Sequence, residues 1–262
     1  MEEENLSSRV LDKVADVFIP NISVDCIILS FHQTRVRILL SKLKVSDKWM
    51  IPGSFVRKDE DPDDTANRII NEKTDLTENL YLKQFYFFGR RGRINIETDT
   101  EILDRHNMEV GFQNQHKDFT RFISLAYYSL VKYSDVKLSS TDYEEVAWFD
   151  VSILPELYAD HKEIIQTATN TIRKQIGYIP IGYELLPEKF TMPELRSIYE
   201  AIIGKELDRR NFQRKMLSIG YILPLNETRK VGAHKSPNLY TFIEQKYKEA
   251  ERDGIQIMNN IL

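Results

Sequence analysis

The chain has 262 residues and a net charge of −4, with 42% apolar and 29% charged residues. This length suits two domains, and the composition is ordinary for a soluble globular protein. No apolar run is long enough to span a bilayer, and the acidic start Met1–Asn5 lacks the basic and apolar regions of a signal peptide. Cys26 is the only cysteine, which excludes an internal disulfide and favours a reducing, cytoplasmic location.

The charge is unevenly distributed along the chain. Residues 204–235 carry eight basic and three acidic side chains, a net charge of +5, which leaves −9 for the remainder. An acidic body with one basic segment indicates a separate module that binds a polyanion.

The first two thirds of the chain predict an α/β arrangement. Residues 22–29 and 35–42 are rich in β-branched and aliphatic residues around a turn-like segment, which predicts a hairpin. Asp61 as N-cap and Pro62 at the first helical position predict a helix that runs to about Lys73. Further strands are predicted at 81–89, 119–131 and 145–150, and a further helix at 160–175.

The loop and helix from Gly53 to Leu76 resemble the Nudix box, G-x5-E-x7-R-E-U-x-E-E-x-G-U, where U is bulky and apolar. Aligned from position 54 without a gap, the matching residues are Glu60, Arg68, Ile70, Glu72 and Leu76. The departures are Ser54 and Asp75 in place of Gly, and Ile69 and Lys73 in place of Glu. Upstream, Trp49, Pro52 and Gly53 match the W-x-x-P-G-G sequence that is frequent in hydrolases of this family.

The departures fall on the residues that carry the chemistry. In Nudix hydrolases the glutamates of this helix share one face and hold the Mg²⁺ ions that bridge a diphosphate. Here their places hold Ile69, Glu72 and Lys73, and a single carboxylate is a poor site for a hard dication. The resemblance implies a Nudix-like α/β/α sandwich with a mixed sheet. We predict that it has no catalytic residue, bound metal or cofactor.

Residues 90–117 have no clear period and predict an insertion, either a loop over the pocket or a partner surface. Its first arginines, Arg90, Arg91 and Arg93, suit a phosphate, DNA or an exposed hairpin tip. The side chains that could in principle ligate a metal, Asp104, His106, Glu109 and His116, match no established spacing and are predicted to be solvated.

The pattern changes at residues 178–187, where Gly and Pro without a long period predict a seam between domains. We place an effector-binding domain at 1–177 and a DNA-binding domain at 178–262. Thr191 and Glu194 predict a capping box for a helix that ends at Gly204.

A second helix is predicted from Asp208 to Gly220, with Phe212, Met216 and Leu217 on its apolar side and basic residues on the other. Two short strands around a basic tip at 226–237 follow it. This order of elements predicts a winged helix-turn-helix; the alternative is a helical pair with a hairpin packed on the first domain and solvated charge.

Nearly the whole chain resembles the Nudix-related transcriptional regulators, which join a Nudix-like sensor to a winged helix. The resemblance is carried most strongly by residues 179–191 and then by Glu194-Leu195, residues 199–202 and residues 207–215. It implies a homodimer on palindromic operator DNA, controlled by a sugar in one branch and by ADP-ribose in another. Loss of the diphosphate clamp disfavours ADP-ribose, although Lys73 keeps an anionic nucleotide open, and the resemblance leads us to predict a sugar such as a pentose.

The site residues follow from these assignments. The predicted DNA-binding residues are Arg209, Arg210, Asn211, Gln213, Arg214, Lys215, Arg229, Lys230, His234 and Lys235. The predicted effector pocket contains Trp49, Phe55, Arg68, Glu72, Lys73 and Tyr86. For Arg68 and Glu72 the alternative is a helix-surface ion pair beside a solvated Lys73. Two other functions are open, an active Nudix hydrolase of a nucleoside diphosphate derivative and an interaction module without a ligand.

Overall fold

The computed structural model describes residues 18–78, 80–93, 123–178, 181–230 and 236–253. The predicted insertion after Arg93, with the four candidate metal ligands, lies outside these residues. The chain divides into two compact units, the first made of 1–28, 38–129 and 136–166, and the second of 29–37, 130–135 and 167–262. No helix in the described part of the chain is both long and apolar enough to cross a membrane.

The larger sheet belongs mostly to the first unit. Its strands are β1 (Phe18–His32), β2 (Arg35–Leu43), β3 (Gly53–Arg57), β4 (Tyr81–Phe88), β5 (Ile123–Leu130) and β6 (Glu144–Asp150). Within the described residues these six strands lie in the order β4-β5-β1-β2-β6, with β3 antiparallel to β1. The predicted hairpin is confirmed as β1 and β2. Its turn consists of Gln33 and Thr34, whose φ angles of 50° and 63° suit a two-residue hairpin loop.

Helix α1 (Pro62–Thr74) packs on the sheet through its apolar face. Ile69 and Ile70 are buried, and the Cys26 thiol of β1 lies 3.7 Å from the Ala66 carbonyl oxygen. The backbone N–H of Asp61 donates to the Asp64 carboxylate, which helps to fix the start of the helix as the sequence predicts. Helix α2 (His161–Lys174) buries the predicted stripe of Ile164, Ile165, Ala168 and Ile172.

The second unit contains the helix-turn-helix. Its elements are α3 (Ile181–Leu185), β7 (Phe190–Thr191), α4 (Met192–Ile203), α5 (Arg209–Ile219), β8 (Ile222–Thr228), β9 (Asn238–Phe242) and α6 (Glu244–Asp253). In the described part of this unit the strands pair in the order β7-β9-β8. The predicted capping box of α4 is confirmed, and α4 and α5 end at Gly204 and Gly220 with φ of 76° and 74°.

Three features of this unit differ from the sequence prediction. The segment expected to be a plain seam forms α3, in which Gly182 is buried. A Cβ atom on Gly182 would lie 2.4 Å from Leu195 Cδ1, so this glycine permits close packing rather than a turn. The pairing of β7 with β9 was missed because it joins residues distant in sequence, and the helix α6 was missed as well.

Candidate functional site

The loop before α1 is held by Arg68. Its Nε and Nη2 atoms donate to the two carboxylate oxygens of Glu60 at 2.8 and 3.0 Å, and Nη2 also donates to the Phe55 carbonyl at 3.2 Å. These hydrogen bonds lower the pKa of Glu60 below its ordinary value. The two matching residues of the box therefore join loop and helix.

The two replaced glycines of the box have structural roles here. The Ser54 hydroxyl accepts a hydrogen bond from Arg68 Nη1 at 3.2 Å. Asp75 ends α1 with φ of 61°, the left-handed conformation that favours glycine, and its carboxylate lies 3.2 Å from Lys137 Nζ.

The two replaced glutamates have new partners. Ile69 is 1% exposed and belongs to the core, whereas Lys73 forms an ion pair with Glu144 of β6. Glu72 is half exposed and lies 3.5 Å from Arg68 Nη1, which is the i,i+4 pair considered above. Lys73, however, is paired and largely buried instead of solvated.

These residues do not fit a magnesium site. A dication of this kind takes several oxygen ligands, whereas positions 69, 72 and 73 offer an apolar side chain, one exposed carboxylate and an ammonium group that already has a partner. Among the described residues, no group of three His, Cys, Asp or Glu side chains is placed to hold a metal ion.

A cleft of about 220 Å³ lies in the first unit, at the end of β4 and the start of α2. Residues 86–93 form most of its wall, and Asp160 and Glu163 complete it. Tyr86 and Phe87 are more than half exposed there. The cleft thus combines aromatic rings with the arginines of the turn after β4, a lining that suits a ligand with both a flat ring and an anionic group.

Arg93 forms a buried charge network beside the cleft. It donates to both Asp160 carboxylate oxygens at 3.0 Å and to the Phe88 carbonyl at 3.1 Å, and its side chain is only 6% exposed. Asp25 lies 3.7 Å from the same guanidinium and accepts a hydrogen bond from the Ser124 hydroxyl. Arg93 therefore holds the turn against the start of α2 and is not part of an exposed hairpin tip.

The other two arginines of the turn face outward. Arg90 is 78% exposed at its side chain and lies 3.2 Å from Glu163, in an ion pair at the edge of the cleft. Arg91 is exposed and lines the cleft. Exposed guanidinium groups of this kind can bind phosphate in pairs of parallel hydrogen bonds.

The structure brings only Tyr86 of the predicted pocket residues into this cleft. Phe55 is buried in the core, and the Trp49 ring lies edge-on to Phe149 at 4.5 Å. The predicted residues of α1, Arg68, Glu72 and Lys73, line none of it. Their part in effector binding stays a prediction.

The cleft residues that the sequence reasoning missed are chiefly Phe87, Asp160 and Glu163. The cluster of aromatic and arginine residues at 85–93 could have indicated Phe87. The acidic pair could not be found this way, because it approaches the turn only through the packing of α2.

Helix α5 presents a polar and basic face. Phe212 and Met216 are buried, as predicted, while Arg209, Arg210, Asn211 and Arg214 in the first two turns are exposed. Arg214 Nη2 donates to the side-chain oxygen of Asn211 at 2.9 Å, and Gln213 donates to the Tyr240 hydroxyl at 3.3 Å. Lys215 is half exposed, and partial burial lowers its pKa. Four unburied polar residues in the first turns of the helix suit reading of base edges.

The wing consists of β8, β9 and the segment between them, and its basic residues differ in their contacts. Arg229 donates to Glu194 Oε1 at 2.6 Å and to the Lys189 carbonyl at 2.7 Å, whereas Lys230 is exposed. His234 and Lys235 lie outside the described residues. Direct contacts of all these residues with DNA stay predictions.

Two protein families match the chain. The family described as the NUDIX domain matches residues 20–168, more than half of the chain. The family described as the NrtR DNA-binding winged helix domain matches residues 182–242. A curated relative, the ADPR responsive transcriptional repressor NtrR of Acinetobacter baylyi, is 25% identical over 235 residues, or 87% of this chain and 84% of that protein.

Solved structures share the fold. Shewanella oneidensis NrtR, complexed with a 27mer DNA, has a TM-score of 0.67 at 20% identity and aligns over 87% of this chain and 95% of that one. A MutT/nudix family protein from Enterococcus faecalis has a TM-score of 0.61 at 20% identity, over 86% and 88% of the chains. The predicted mixed-sheet sandwich followed by a winged helix is confirmed.

Proposed function

Because this chain belongs to the Nudix family and carries a winged helix domain of the NrtR DNA-binding type, we propose that it is a transcriptional repressor controlled by a small metabolite. The observation that carries the proposal is the face of α5, where Arg209, Arg210, Asn211 and Arg214 are exposed opposite the buried Phe212 and Met216. Arginine pairs with guanine and asparagine with adenine in the major groove. Such a role places the protein with the DNA in the cytoplasm.

We propose ADP-ribose as the effector and the cleft at residues 86–93 as its site. The name of the Acinetobacter baylyi relative gives ADP-ribose as the effector of that protein. ADP-ribose offers an adenine ring to Tyr86 and a diphosphate to Arg90 and Arg91. The pentose favoured in the sequence analysis has no phosphate for these arginines, and the comparisons give it no support.

The protein binds its effector without hydrolysing it in this proposal. Ile69 is buried and Lys73 is paired with Glu144, so Glu72 is the single carboxylate at the three places of the box that hold the metal in Nudix hydrolases. Incubation with ADP-ribose and Mg²⁺ or Mn²⁺ is expected to release no AMP above the uncatalysed rate. Release at an ordinary enzymatic rate would favour the hydrolase instead.

A homodimer is part of the same proposal, because a two-fold symmetric protein matches a palindromic operator. The two α5 helices of such a dimer would lie about one helical turn of DNA apart, at about 34 Å. Analytical ultracentrifugation of the full chain is expected to give the mass of two chains, and a monomer at micromolar concentration would contradict this part.

The DNA-binding function is tested with a duplex that the wild-type protein selects from a random-sequence library. A variant with Arg210→Glu and Arg214→Glu is expected to bind this duplex at least roughly a hundredfold more weakly, since two base-reading or phosphate contacts become repulsive. The matched control reverses two exposed lysines of α2, Lys162→Glu and Lys174→Glu, and is expected to bind far better than the α5 variant. Retained affinity of the α5 variant would overturn the assignment.

The effector assignment is tested separately by isothermal titration of ADP-ribose and of free ribose into the wild-type chain. We expect saturable binding of ADP-ribose and none of ribose. The measurement is repeated with the selected duplex present, where ADP-ribose is expected to lower the affinity for DNA. Binding of ribose alone would return the effector to the sugar class.

A further inference from the structure

The side chain of Arg229 ties the wing to the first helix of the helix-turn-helix. Arg229 directly follows β8, and its backbone N–H donates to the Pro237 carbonyl at 3.0 Å, which closes the neck of the wing. Its guanidinium reaches residues 189–194. Nη1 donates to Glu194 in the first turn of α4, and Nη2 to the Lys189 carbonyl just before β7.

The acceptor Glu194 is itself fixed. Its other carboxylate oxygen accepts the backbone N–H of Thr191 at 2.7 Å and the Thr191 hydroxyl at 2.9 Å. One oxygen thus caps α4 while the other, at 2.6 Å, holds the arginine. The position of Arg229 is therefore set by the start of α4.

A second ion pair joins the same two segments. Lys189 Nζ lies 2.7 Å from Glu227, which is two residues before Arg229 on the wing. The side chains of Glu227 and Arg229 thus both reach residues 189–194. The pairs have opposite polarity, with the base on the wing in one and the acid in the other. Their side chains are between 38% and 50% exposed, so they contribute little to stability.

The connection continues to the DNA-reading helix. Helix α4 packs on α5 through the rings of Tyr199 and Phe212, whose centroids are 5.5 Å apart. The angle of the wing relative to α5 is thereby linked to Arg229 through α4. A phosphate that took Arg229 from Glu194 would leave that carboxylate unneutralised close to the DNA.

We propose that Arg229 is a positioning residue that sets the wing against the helix-turn-helix, and that it makes no phosphate contact. The inference rests on the proposed DNA-binding function. The two roles predict opposite effects for the removal of the acid Glu194. If Arg229 acted only through charge attraction, loss of this negative charge would tighten DNA binding. If Arg229 is a positioning residue, the same change should weaken DNA binding.

The test uses the duplex selected by the wild-type chain and measures its dissociation constant across a range of NaCl concentrations. The variants are Arg229→Gln, Glu194→Gln and the two combined. Glutamine is accepted at the third position of a capping box, so Glu194→Gln keeps the start of α4. A third single variant, Arg229→Lys, keeps the charge but loses the fork that reaches two acceptors.

A positioning role predicts that each single variant binds about tenfold more weakly, with the slope of log affinity against log salt unchanged. The combined variant is expected to be no weaker than either single variant, because both remove the same contact. Lys230→Gln serves as the neighbouring control, since a phosphate contact there lowers the slope by about 0.9. Melting curves confirm that the variants are folded.

A phosphate contact by Arg229 would give different results. A loss of about 0.9 in slope for Arg229→Gln, together with unchanged or tighter binding by Glu194→Gln, makes Arg229 a phosphate contact and overturns the inference alone. Wild-type affinity of Arg229→Lys for the duplex also overturns the inference. If the wild-type chain selects no duplex, the proposed function fails and this inference fails with it.

Discussion

The ammonium group of Lys73 on α1 forms an ion pair with the carboxylate of Glu144 on β6, and the two side chains are only 15% and 13% exposed. A cation of the chain itself therefore stands at one of the places where Nudix hydrolases carry a metal-binding glutamate. It joins the helix of the box to a strand that is 71 residues away in sequence. The resemblance indicated only that a metal ligand is missing at position 73, whereas the structure shows that Lys73 adds a tertiary contact there.

Replacement of Lys73 by methionine is expected to lower the free energy of unfolding by roughly 1–3 kcal/mol, because Glu144 loses its partner in a largely buried place. The matched control is Lys137→Met, which breaks an exposed pair with Asp75 and should cost less than about 1 kcal/mol. Urea denaturation of both variants measures the difference. Equal losses would mean that the buried pair has no special role.

The Glu60–Arg68 pair predicts a pH dependence of stability. Hydrogen bonds from Arg68 lower the pKa of Glu60, so the stabilisation is present above the unfolded value of about 4.3 and is lost as pH falls through the folded pKa. Glu60→Gln should therefore destabilise the protein most near neutral pH, and the difference from wild type should shrink in acid.

Glu72→Gln provides the control for this prediction, since Glu72 pairs with the same arginine but is half exposed. Its effect is expected to stay below about 0.5 kcal/mol at every pH. Thermal melts between neutral and acidic pH measure both series. A difference for Glu60→Gln that grows in acid would contradict the assigned sign.

The Tyr127 hydroxyl anchors the start of α1. It donates to the Asp63 carboxylate at 2.6 Å, and burial, with the charge of Asp63, raises the pKa of Tyr127. Tyr127→Phe is expected to cost about 1–3 kcal/mol, the range for hydrogen bonds to charged groups. Tyr143→Phe, at an exposed ring, should be nearly neutral. Equal effects in urea denaturation would remove the hydroxyl from this role.

The features that the sequence predicted well are local. Examples are the capping box of Thr191 and Glu194 and the glycines that end α4 and α5. Each depends on residues within one or two helical turns, so neighbouring residues in the sequence are enough to predict it. The exposed and buried sides of α5 follow from the helical period in the same way.

The features that were missed join distant residues. Arg93 and Asp160 are 67 positions apart, and only the packing of α2 beside the end of β4 brings them together. Gly182 carries the same lesson, because a glycine beside prolines predicts a turn, whereas its actual constraint is the approach of Leu195 from another helix. Sequence reasoning accordingly located the exposed basic face of α5 better than the cleft.

Two arginines of the same turn provide the sharpest test of the cleft. Arg93 is 6% exposed at its side chain, and its loss in Arg93→Met leaves Asp160 and Asp25 without their shared cation. This variant is expected to lose about 3–5 kcal/mol of unfolding free energy. Arg91→Met changes an exposed side chain and should alter stability by less than about 0.5 kcal/mol.

For ADP-ribose binding, the variant with the direct effect is expected to be Arg91→Met. Arg91→Met is expected to weaken ADP-ribose binding by about tenfold with the fold intact, since a charge-assisted hydrogen bond to phosphate contributes about 1.5–3 kcal/mol. Isothermal titration measures this affinity and urea denaturation the stability. An Arg91→Met chain with wild-type affinity for ADP-ribose would show that the diphosphate does not bind this turn. A stable Arg93→Met chain would show that Asp25 and Asp160 do not depend on this cation, and that the turn needs no buried cation to hold its shape.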